Sequence, residues 1–279
     1  MHKIFIYILL GLFVTAFASC DKETESVYTP PQKVRARTLD ESWFEEHPYI
    51  EDTLLMKEAL MHARYSPYKD MTVGIFGGSH TCHLHSEVGR TIMSNAFRWD
   101  VVTYGISGQG YAYHPKWHSV IEQVDGAEPK DIYILWQSTN DFRNDAIVGS
   151  PSDYTEKDSW DSTKLNHASA GLNYCIKKLR EKNPSCKIFI FGSMKFFERK
   201  GGYDNTAEDY NQAGYLYSDY IAVQRAIAQR EGIPFFDQFS LLPVDEDNFH
   251  RYYLSDHLHL NAHGYTNITY HQVEFMATH

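Results

Sequence analysis

The sequence has few cysteines, and their spacing is informative. Four cysteines occur among 279 residues, and no Cys-x-x-Cys motif is present. Three of the four lie beyond residue 20, and an odd number cannot all form pairs with one another. They are Cys82, Cys175 and Cys186. We therefore expect mostly buried free thiols, with a single disulfide left open.

Basic clusters and long apolar segments are also scarce. The net charge is −10, and no strong basic run occurs, so binding of nucleic acid by a phosphate-neutralising surface is not expected. Only one long apolar run exists, at the very start, which excludes a protein with several membrane spans. The composition is 43% hydrophobic and 15% aromatic, which is enough for a large core and is not typical of a disordered chain.

The first twenty residues have the pattern of an export signal. Lys3 precedes an apolar run over 4–17 that is short for a membrane span, and small residues lead to Cys20. A cysteine at this position resembles the lipobox of bacterial lipoproteins. The resemblance implies that residues 1–19 are a lipoprotein signal peptide and that Cys20 is lipidated. An ordinary signal peptide or a short anchor helix remains an alternative.

If this is correct, the protein is exported and lipid-anchored to a bacterial membrane, in the periplasm or at the cell surface. Residues 20–45 are mainly polar and contain Pro30 and Pro31. Such a segment is expected to be a tether that holds a domain, residues 46–279, away from the membrane.

Within the domain, short apolar segments alternate with segments of helical periodicity. The predicted strands are 71–76, 101–106, 131–136, 187–191 and 233–236. The predicted helices cover 52–64, a segment with Leu84, Val88, Ile92 and Ala96, then 164–182, 215–231 and a last helix from about 261. This alternation predicts a parallel sheet with right-handed crossovers. Reactive groups in such sheets lie at the carboxyl ends of the strands.

A candidate nucleophile follows the first predicted strand. Ser79 comes directly after two glycines and directly before a helix, which exposes its hydroxyl and places its N–H at the helix start. The motif differs from the Gly-x-Ser-x-Gly elbow, because the second residue after Ser79 is Thr81. A simple helix cap is the alternative role for this serine.

A candidate base lies near the end of the chain. Asp256 precedes His259 by three residues, so its carboxylate can accept from Nδ1 and leave Nε2 free to take a proton from a serine. A surface carboxylate and a structural histidine are the alternative. His257 and His263 are rival bases, but neither has an aspartate three residues upstream.

Two other strand ends carry candidate oxyanion donors. Gly108 follows the second predicted strand and Asn140 follows the third. A glycine N–H and an asparagine amide can both point at a developing oxyanion. A turn glycine and a capping asparagine are the alternatives, and Gly105 competes with Gly108 for the role.

These four segments, in this order, resemble the sequence blocks of the SGNH (GDSL-type) hydrolase family. The resemblance covers residues from about 70 to 279, and Asp-x-x-His-Leu-Asn-x-x-Gly near the C-terminus is its most specific part. It implies an α/β protein, a three-layer α/β/α sandwich with a five-stranded parallel sheet of the flavodoxin-like type. It implies no cofactor.

The resemblance also implies residue roles. Ser79 is the nucleophile, His259 the general base, and Asp256 the residue that orients it. The N–H groups of Ser79 and Gly108 form the oxyanion hole with the side chain of Asn140.

Two positions depart from the family pattern. The family has Gly-Asp-Ser where this chain has Gly78 before the serine, so the loop packing must differ. The glycine usual before Asn-Asp is replaced by Thr139, which we expect to narrow the oxyanion pocket.

Several histidines and aromatic residues lie close to these blocks in the sequence. His80, His83 and His85 surround Cys82, but their spacing is not of the zinc type, so no metal is predicted. We predict instead that His80 lines the substrate pocket. Tyr111, after the second block, is predicted to bind substrate by stacking on a sugar ring, with ordinary packing as the alternative.

The sequence thus predicts an exported, lipid-anchored serine esterase that acts through an acyl-enzyme. Its expected partners are a small-molecule or glycan ester carrying acetyl or other short acyl groups, and the membrane through Cys20. Two alternatives remain: a non-catalytic glycan-binding lipoprotein with the same fold, and an O-acyltransferase.

Overall fold

The fold is given by a computed structural model. It describes residues 32–34, 49–114, 118–154, 166–197, 199–200, 203–204, 210–239, 241–242, 244–245 and 247–279. The predicted signal peptide, Cys20 and most of the predicted tether lie outside these residues.

The main sheet contains the five predicted parallel strands. Its strands are β1 (Gln32–Val34), β2 (Thr72–Phe76), β3 (Asp100–Thr103), β4 (Ile132–Trp136), β5 (Lys187–Phe191) and β8 (Phe235–Phe236). The spatial order is β1-β3-β2-β4-β5-β8, and the strands from β3 to β8 are parallel. This confirms the five-stranded parallel sheet of flavodoxin-like order.

Two features of strand pairing were not predicted. The short strand β1 lies within the segment expected to be a tether, and it pairs antiparallel with β3 at the sheet edge. A separate hairpin pairs β6 (Arg199–Lys200) with β7 (Tyr203–Asp204). β1 thus joins the polar N-terminal segment to the sheet.

Helices cover both faces of the sheet. They are α1 (Thr53–Tyr65), α2 (Ser79–Cys82), α3 (Ser86–Phe97), α4 (Val120–Asp125), α5 (Asn140–Arg143), α6 (Ala168–Lys182), α7 (Tyr217–Glu231) and α8 (Ala262–Thr278). One core lies under α1, α3 and α8, and the other under α4, α6 and α7. The three-layer α/β/α architecture is therefore confirmed. None of the helices in the described part of the chain is long and apolar enough to cross a membrane.

The central strand shows why the sheet is buried on both sides. In β4 every residue is buried, and successive side chains enter opposite cores. Ile132, Ile134 and Trp136 face α1, α3 and α8, whereas Tyr133 and Leu135 face the other helices. An uninterrupted apolar strand is what a sheet covered by helices on both faces requires.

Capping residues define several helix ends. The Asp52 side chain accepts from Leu55 N at 2.9 Å at the start of α1. The Asn261 side chain accepts from Gly264 N at 3.0 Å at the start of α8. Gly232 ends α7 with a φ of 64°, which a residue without Cβ adopts readily.

The predicted helix after β2 is interrupted in the structure. α2 ends at Cys82, His83 has an extended backbone, and α3 begins at Ser86. Leu84, expected on the buried face of one continuous helix, is 76% exposed in the connection. That part of the prediction is wrong, because helical periodicity alone does not show the three-residue break between α2 and α3.

The three cysteines of the domain are free thiols in the structure. Cys175 is buried, and Cys82 and Cys186 are half-buried. The expectation of free thiols is confirmed, whereas their expected burial holds in full for Cys175 alone of the three.

The packing of β4 predicts a large effect on stability. Ile134 is fully buried at the centre of the sheet, so Ile134→Ala should lower the free energy of unfolding by about 2–5 kcal/mol. Leu54→Ala is the matched control, since Leu54 is 65% exposed and should change stability by less than about 0.5 kcal/mol. Urea unfolding measures both. Equal losses in the two variants would contradict the described core.

Candidate active site

Ser79 lies where β2 ends and α2 begins, and the preceding glycines allow a close approach between strands. Gly77 has a φ of 154°, and a Cβ there would lie 2.6 Å from the carbonyl oxygen of Trp136. The chain therefore passes directly beside β4 at the end of β2. Ser79 itself is 6% exposed and is the first residue of α2.

The three residues predicted as a triad are in contact. Nε2 of His259 lies 2.7 Å from Oγ of Ser79, and Nδ1 of His259 lies 2.6 Å from Oδ2 of Asp256. When Nδ1 donates to the carboxylate, Nε2 is left to accept from the Ser79 hydroxyl. The arrangement is that of a serine prepared for proton removal.

The carboxylate of Asp256 is fixed by further hydrogen bonds. Its Oδ1 accepts from the backbone N–H groups of Leu258 and His259, each at 3.0 Å. Burial raises the pKa of Asp256, but the hydrogen bonds from the His259 ring and from the two backbone groups outweigh it and bring the pKa below its ordinary value. An ionised Asp256 holds the Nδ1–H tautomer of His259.

The candidate oxyanion donors lie on two adjacent loops. Gly108 has a φ of 82° in a turn closed by a 3.3 Å hydrogen bond from Gln109 N to Ile106 O. The Asn140 amide donates to Gln109 O at 3.0 Å, which links its side chain to the Gly108 turn. An amide nitrogen has two hydrogens, so one remains for a substrate oxygen.

The competing residue Gly105 has a packing role. A Cβ at Gly105 would lie 1.8 Å from Oγ1 of Thr81, so the loop here is in close contact with α2. The structure thus explains the glycine at this position by close packing, and Gly108 remains the candidate donor.

The departure at Gly78 has a structural explanation. A Cβ at this position would lie 2.7 Å from Gln109 O, 2.7 Å from Ser138 Oγ and 2.8 Å from Asn140 Nδ2. The space that a side chain at position 78 would need is thus filled by groups that join the loop of Gly108 to the loop of Asn140. The side-chain oxygen nearest to Gly78 belongs to Ser138 and not to Thr139, the other residue at which the sequence departs from the family. Ser138 Oγ also accepts from Asn140 N at 3.0 Å.

Asp141 is a site residue that the sequence analysis missed. Its buried carboxylate accepts from the backbone N–H groups of Tyr111 at 3.0 Å and Ala112 at 2.8 Å. Burial raises the pKa of Asp141 to about 6, against the lowering effect of these two bonds. Asp141 therefore fastens the segment after Gly108 to α5, next to Asn140.

His80 lies beside the base. It is buried, its Nε2 lies 3.1 Å from Leu258 O, and its ring is 5.3 Å from the ring of His259. Burial and the neighbouring His259 lower the pKa of His80 to about 3, so it is neutral and donates to Leu258 O. Its predicted contact with substrate stays a prediction.

Tyr111 does not occupy the predicted position. Its side chain is fully buried in the core beneath α4 and α6, where the hydroxyl lies 3.5 Å from Trp136 O. A ring enclosed on all sides cannot stack on a sugar, so this prediction is wrong. The ordinary packing considered as the alternative is what the structure has.

The two histidines considered as rival bases contact other residues. His257 lies 3.3 Å from Phe197 O through Nδ1 and packs on Phe249, and His263 stacks on Tyr49. Within the described residues, no group of three or more histidine, cysteine, aspartate and glutamate side chains is arranged to hold a metal ion.

A small cavity adjoins the candidate oxyanion hole. Its volume is about 200 Å³. It is lined by Gly110, Ala112, Tyr113, His114, Asn140, Asp141, Asn144, Asp145, Ala146 and Asn166. Most of these side chains are polar, and Asn140 belongs both to this wall and to the candidate oxyanion hole.

Comparison with known sequences identifies the family. The model of the GDSL-like lipase/acylhydrolase family matches residues 75–266, which is more than half of the chain. The protein therefore belongs to this family, and at that level it is an ester hydrolase. No match was found among curated proteins.

Solved structures share the fold. A protein from Lactobacillus plantarum has a TM-score of 0.64 at 17% identity, covering 76% of this chain and 98% of its own. A possible lipase from Chitinophaga pinensis has a TM-score of 0.55 at 18% identity, covering 75% and 97%. Est24, a carbohydrate acetylesterase from Sinorhizobium meliloti, has a TM-score of 0.52 at 14% identity, covering 74% and 98%. At these identities the likeness shows the fold alone.

The crowding around Gly78 predicts the effect of a single methyl group. Gly78→Ala should push Asn140 and the Gln109 carbonyl out of place, lowering kcat by about 10²-fold and the free energy of unfolding by about 1–3 kcal/mol. Gly126→Ala is the control, since a Cβ there meets only ordinary contacts of 3.6 Å or more. Ester hydrolysis and urea unfolding measure the two effects. Unchanged kcat in Gly78→Ala would show that these loops do not form the oxyanion site.

The raised pKa of Asp141 predicts a pH dependence of stability. The folded protein keeps a proton on Asp141 up to about pH 6, whereas the unfolded chain loses it near about pH 4. The contribution of protonated Asp141 to the free energy of unfolding is therefore at its maximum below about pH 4, and it is lost as the pH rises through about 6. In Asp141→Asn this decrease should vanish, as measured by urea unfolding at several pH values. The same decrease in both proteins would assign it to other groups.

Proposed function

We propose that this protein is an exported, lipid-anchored serine esterase that removes acetyl or other short acyl groups from a carbohydrate. The observation that carries the proposal is the continuous contact from Ser79 through His259 to Asp256, next to the Asn140 amide. Membership of an ester hydrolase family supports the same chemistry.

In the first half-reaction Ser79 Oγ attacks the ester carbonyl carbon while His259 Nε2 takes the hydroxyl proton. The carbonyl oxygen becomes negatively charged and accepts from the N–H groups of Ser79 and Gly108 and from the Asn140 amide. Asp256 stabilises the imidazolium through Nδ1. The intermediate then expels the sugar oxygen, which takes the proton from Nε2, and the acyl group remains on Ser79.

The second half-reaction releases the acyl group. His259 removes a proton from water, the resulting hydroxide attacks the acyl carbon, and the proton returns to Ser79 Oγ as the ester bond breaks. An acyltransferase would use an alcohol in place of water at this step. The roles of Ser79, His259 and Asp256 are the same for both acceptors.

The polar cavity beside Asn140 supports a hydroxyl-rich substrate. Amide, imidazole, phenol and carboxylate groups line its wall, and a sugar offers several hydroxyl donors and acceptors to such groups. A long alkyl chain would leave these groups without partners. The carbohydrate acetylesterase Est24 has the same fold, which is consistent with this substrate class but does not decide it.

The anchor is proposed from the N-terminal sequence. A basic residue, an apolar run and small residues before Cys20 support export and lipidation of that cysteine. The polar segment between the anchor and the domain supports attachment at a distance from the membrane.

The proposal predicts the behaviour of two site variants. Ser79→Ala should lower hydrolysis of p-nitrophenyl acetate by about 10⁴-fold or more, because the nucleophile is removed. Asn140→Ala should lower kcat by about 10²–10³-fold with little change in KM, because it removes a donor used mainly in the transition state. Gly126→Ala is the control variant. Acetyl release is then measured on an acetylated oligosaccharide and compared with esters of longer acyl chains.

These measurements distinguish the proposed esterase from a glycan-binding protein, a long-chain esterase and an acyltransferase. Equal rates in the wild type and Ser79→Ala would overturn the serine mechanism and favour a glycan-binding protein that retains the fold. Preference for long-chain esters would overturn the carbohydrate assignment. Transfer of the acetyl group to an added alcohol in preference to water would favour an acyltransferase.

A further inference from the structure

His83 is tightly connected to the nucleophile through the backbone. It directly follows α2, and its N–H donates to Ser79 O at 2.8 Å. Its own carbonyl accepts from Ser86 N at 2.9 Å and from Ser86 Oγ at 2.6 Å. The break between α2 and α3 therefore holds His83 in a defined place, one helical turn after Ser79.

The ring of His83 lies face to face with the ring of the catalytic base. The centroids of His83 and His259 are 4.9 Å apart, and the ring planes differ by 11°. On its own loop His83 also stacks with His85, at 5.5 Å and 26°. Stacking of this kind restricts rotation of the His259 ring, together with its hydrogen bonds to Ser79 and Asp256 and the neighbouring ring of His80.

Local contacts favour the neutral form of His83. The N–H of His85 points to Nδ1 of His83 at 3.4 Å, which requires a lone pair on that nitrogen. Burial lowers the pKa of His83, and His259 and His85 lower it further, whereas Asp256 acts in the opposite direction. At neutral pH the ring facing the base is thus uncharged.

We propose that His83 is a positioning residue whose neutral ring orients His259 and stabilises the imidazolium that forms when His259 takes the proton from Ser79. This inference rests on the proposed serine esterase function. A flat, polarisable ring over a cation is favourable, and the neutral ring adds no repulsion when the proton arrives. A second positive charge at 4.9 Å would oppose the same step.

The proposal makes activity depend on the protonation of two rings. The charged and titratable groups facing His83 are His259 and Asp256 from the loop before α8, His85 from its own loop and His80 from α2. On acidification, protonation of His83 places a positive charge against the ring that must accept the proton from Ser79, which disfavours the imidazolium. The acidic limb of kcat/KM should therefore be steeper in the wild type than in a variant with no ionisable group at position 83.

The experiment compares His83→Ala with His83→Phe. Loss of the ring in His83→Ala should lower kcat about 2- to 10-fold at pH 8 with little change in KM. His83→Phe keeps a flat uncharged ring, so it should restore most of that loss, and its acidic limb should be less steep than that of the wild type because position 83 no longer carries an ionisable group. His271→Ala is the matched control, a half-buried histidine on α8 whose facing charged group is Asp52.

Two results would overturn the proposal. One is a wild-type kcat and an unchanged acidic limb in His83→Ala. The other is an equal loss of kcat in His83→Ala and His83→Phe with the wild-type slope retained in both, which would indicate a purely local structural role. Thermal unfolding of each variant shows whether the fold is retained.

A second readout separates failure of this inference from failure of the proposed function. A fluorophosphonate probe is attacked by Ser79 Oγ, fluoride leaves, and His259 takes the proton. The labelling rate therefore measures the reactivity of Ser79 with His259 without an ester substrate. Labelling slowed in His83→Ala and restored in His83→Phe supports the role of His83. Equal labelling of all three proteins overturns it. Wild type that neither labels nor hydrolyses esters overturns the proposed function itself.

Discussion

The parallel pairing of β2 with β4 is the constraint on which the site depends. Ile75 lies opposite Ile134 and Phe76 opposite Leu135, so both strands end at the same level. The segments that follow, with Ser79 on one and Asn140 on the other, leave the sheet side by side. Such proximity is tolerated only because the first residues after β2 are glycines, which leave room for the Trp136 carbonyl and the Ser138 hydroxyl.

A buried polar network then fixes the three strand-end loops to one another. The Gln123 amide donates to Gly77 O at 2.9 Å and to Gln109 Oε1 at 2.7 Å, and its oxygen accepts from Gly77 N at 3.2 Å. Asp141 and Asn140 bind the same Gly108 loop from the other side. Because unpaired polar groups are costly in this interior, the network favours one arrangement of the loops, which suits a preformed oxyanion site.

Much of this could be predicted from the sequence, because it is carried by local patterns. The segment 131–136 has no polar alternation, which is typical of a strand buried on both faces, and the spacing of Asp256 and His259 matched the hydrogen bond that the structure contains. Contacts between distant segments could not be predicted this way. The burial of Tyr111, the Asp141 bonds and the place of Ser138 beside Gly78 depend on how loops from different strands meet. The break at His83 was missed because the apolar spacing that continues into α3 already begins at Leu84, within the break.

The partly buried cluster around His259 contains neutral histidines and one ionised carboxylate. His80 is neutral because it is buried beside the base, and the neutral form of His83 is favoured by its contact with the His85 N–H. Asp256 is the ionised group that the base contacts. One negative charge in a partly buried cluster can offset one positive charge, and a second imidazolium would have no counter-ion there. In the proposed mechanism, the proton from Ser79 is thus best accepted by His259, the histidine bonded to Asp256.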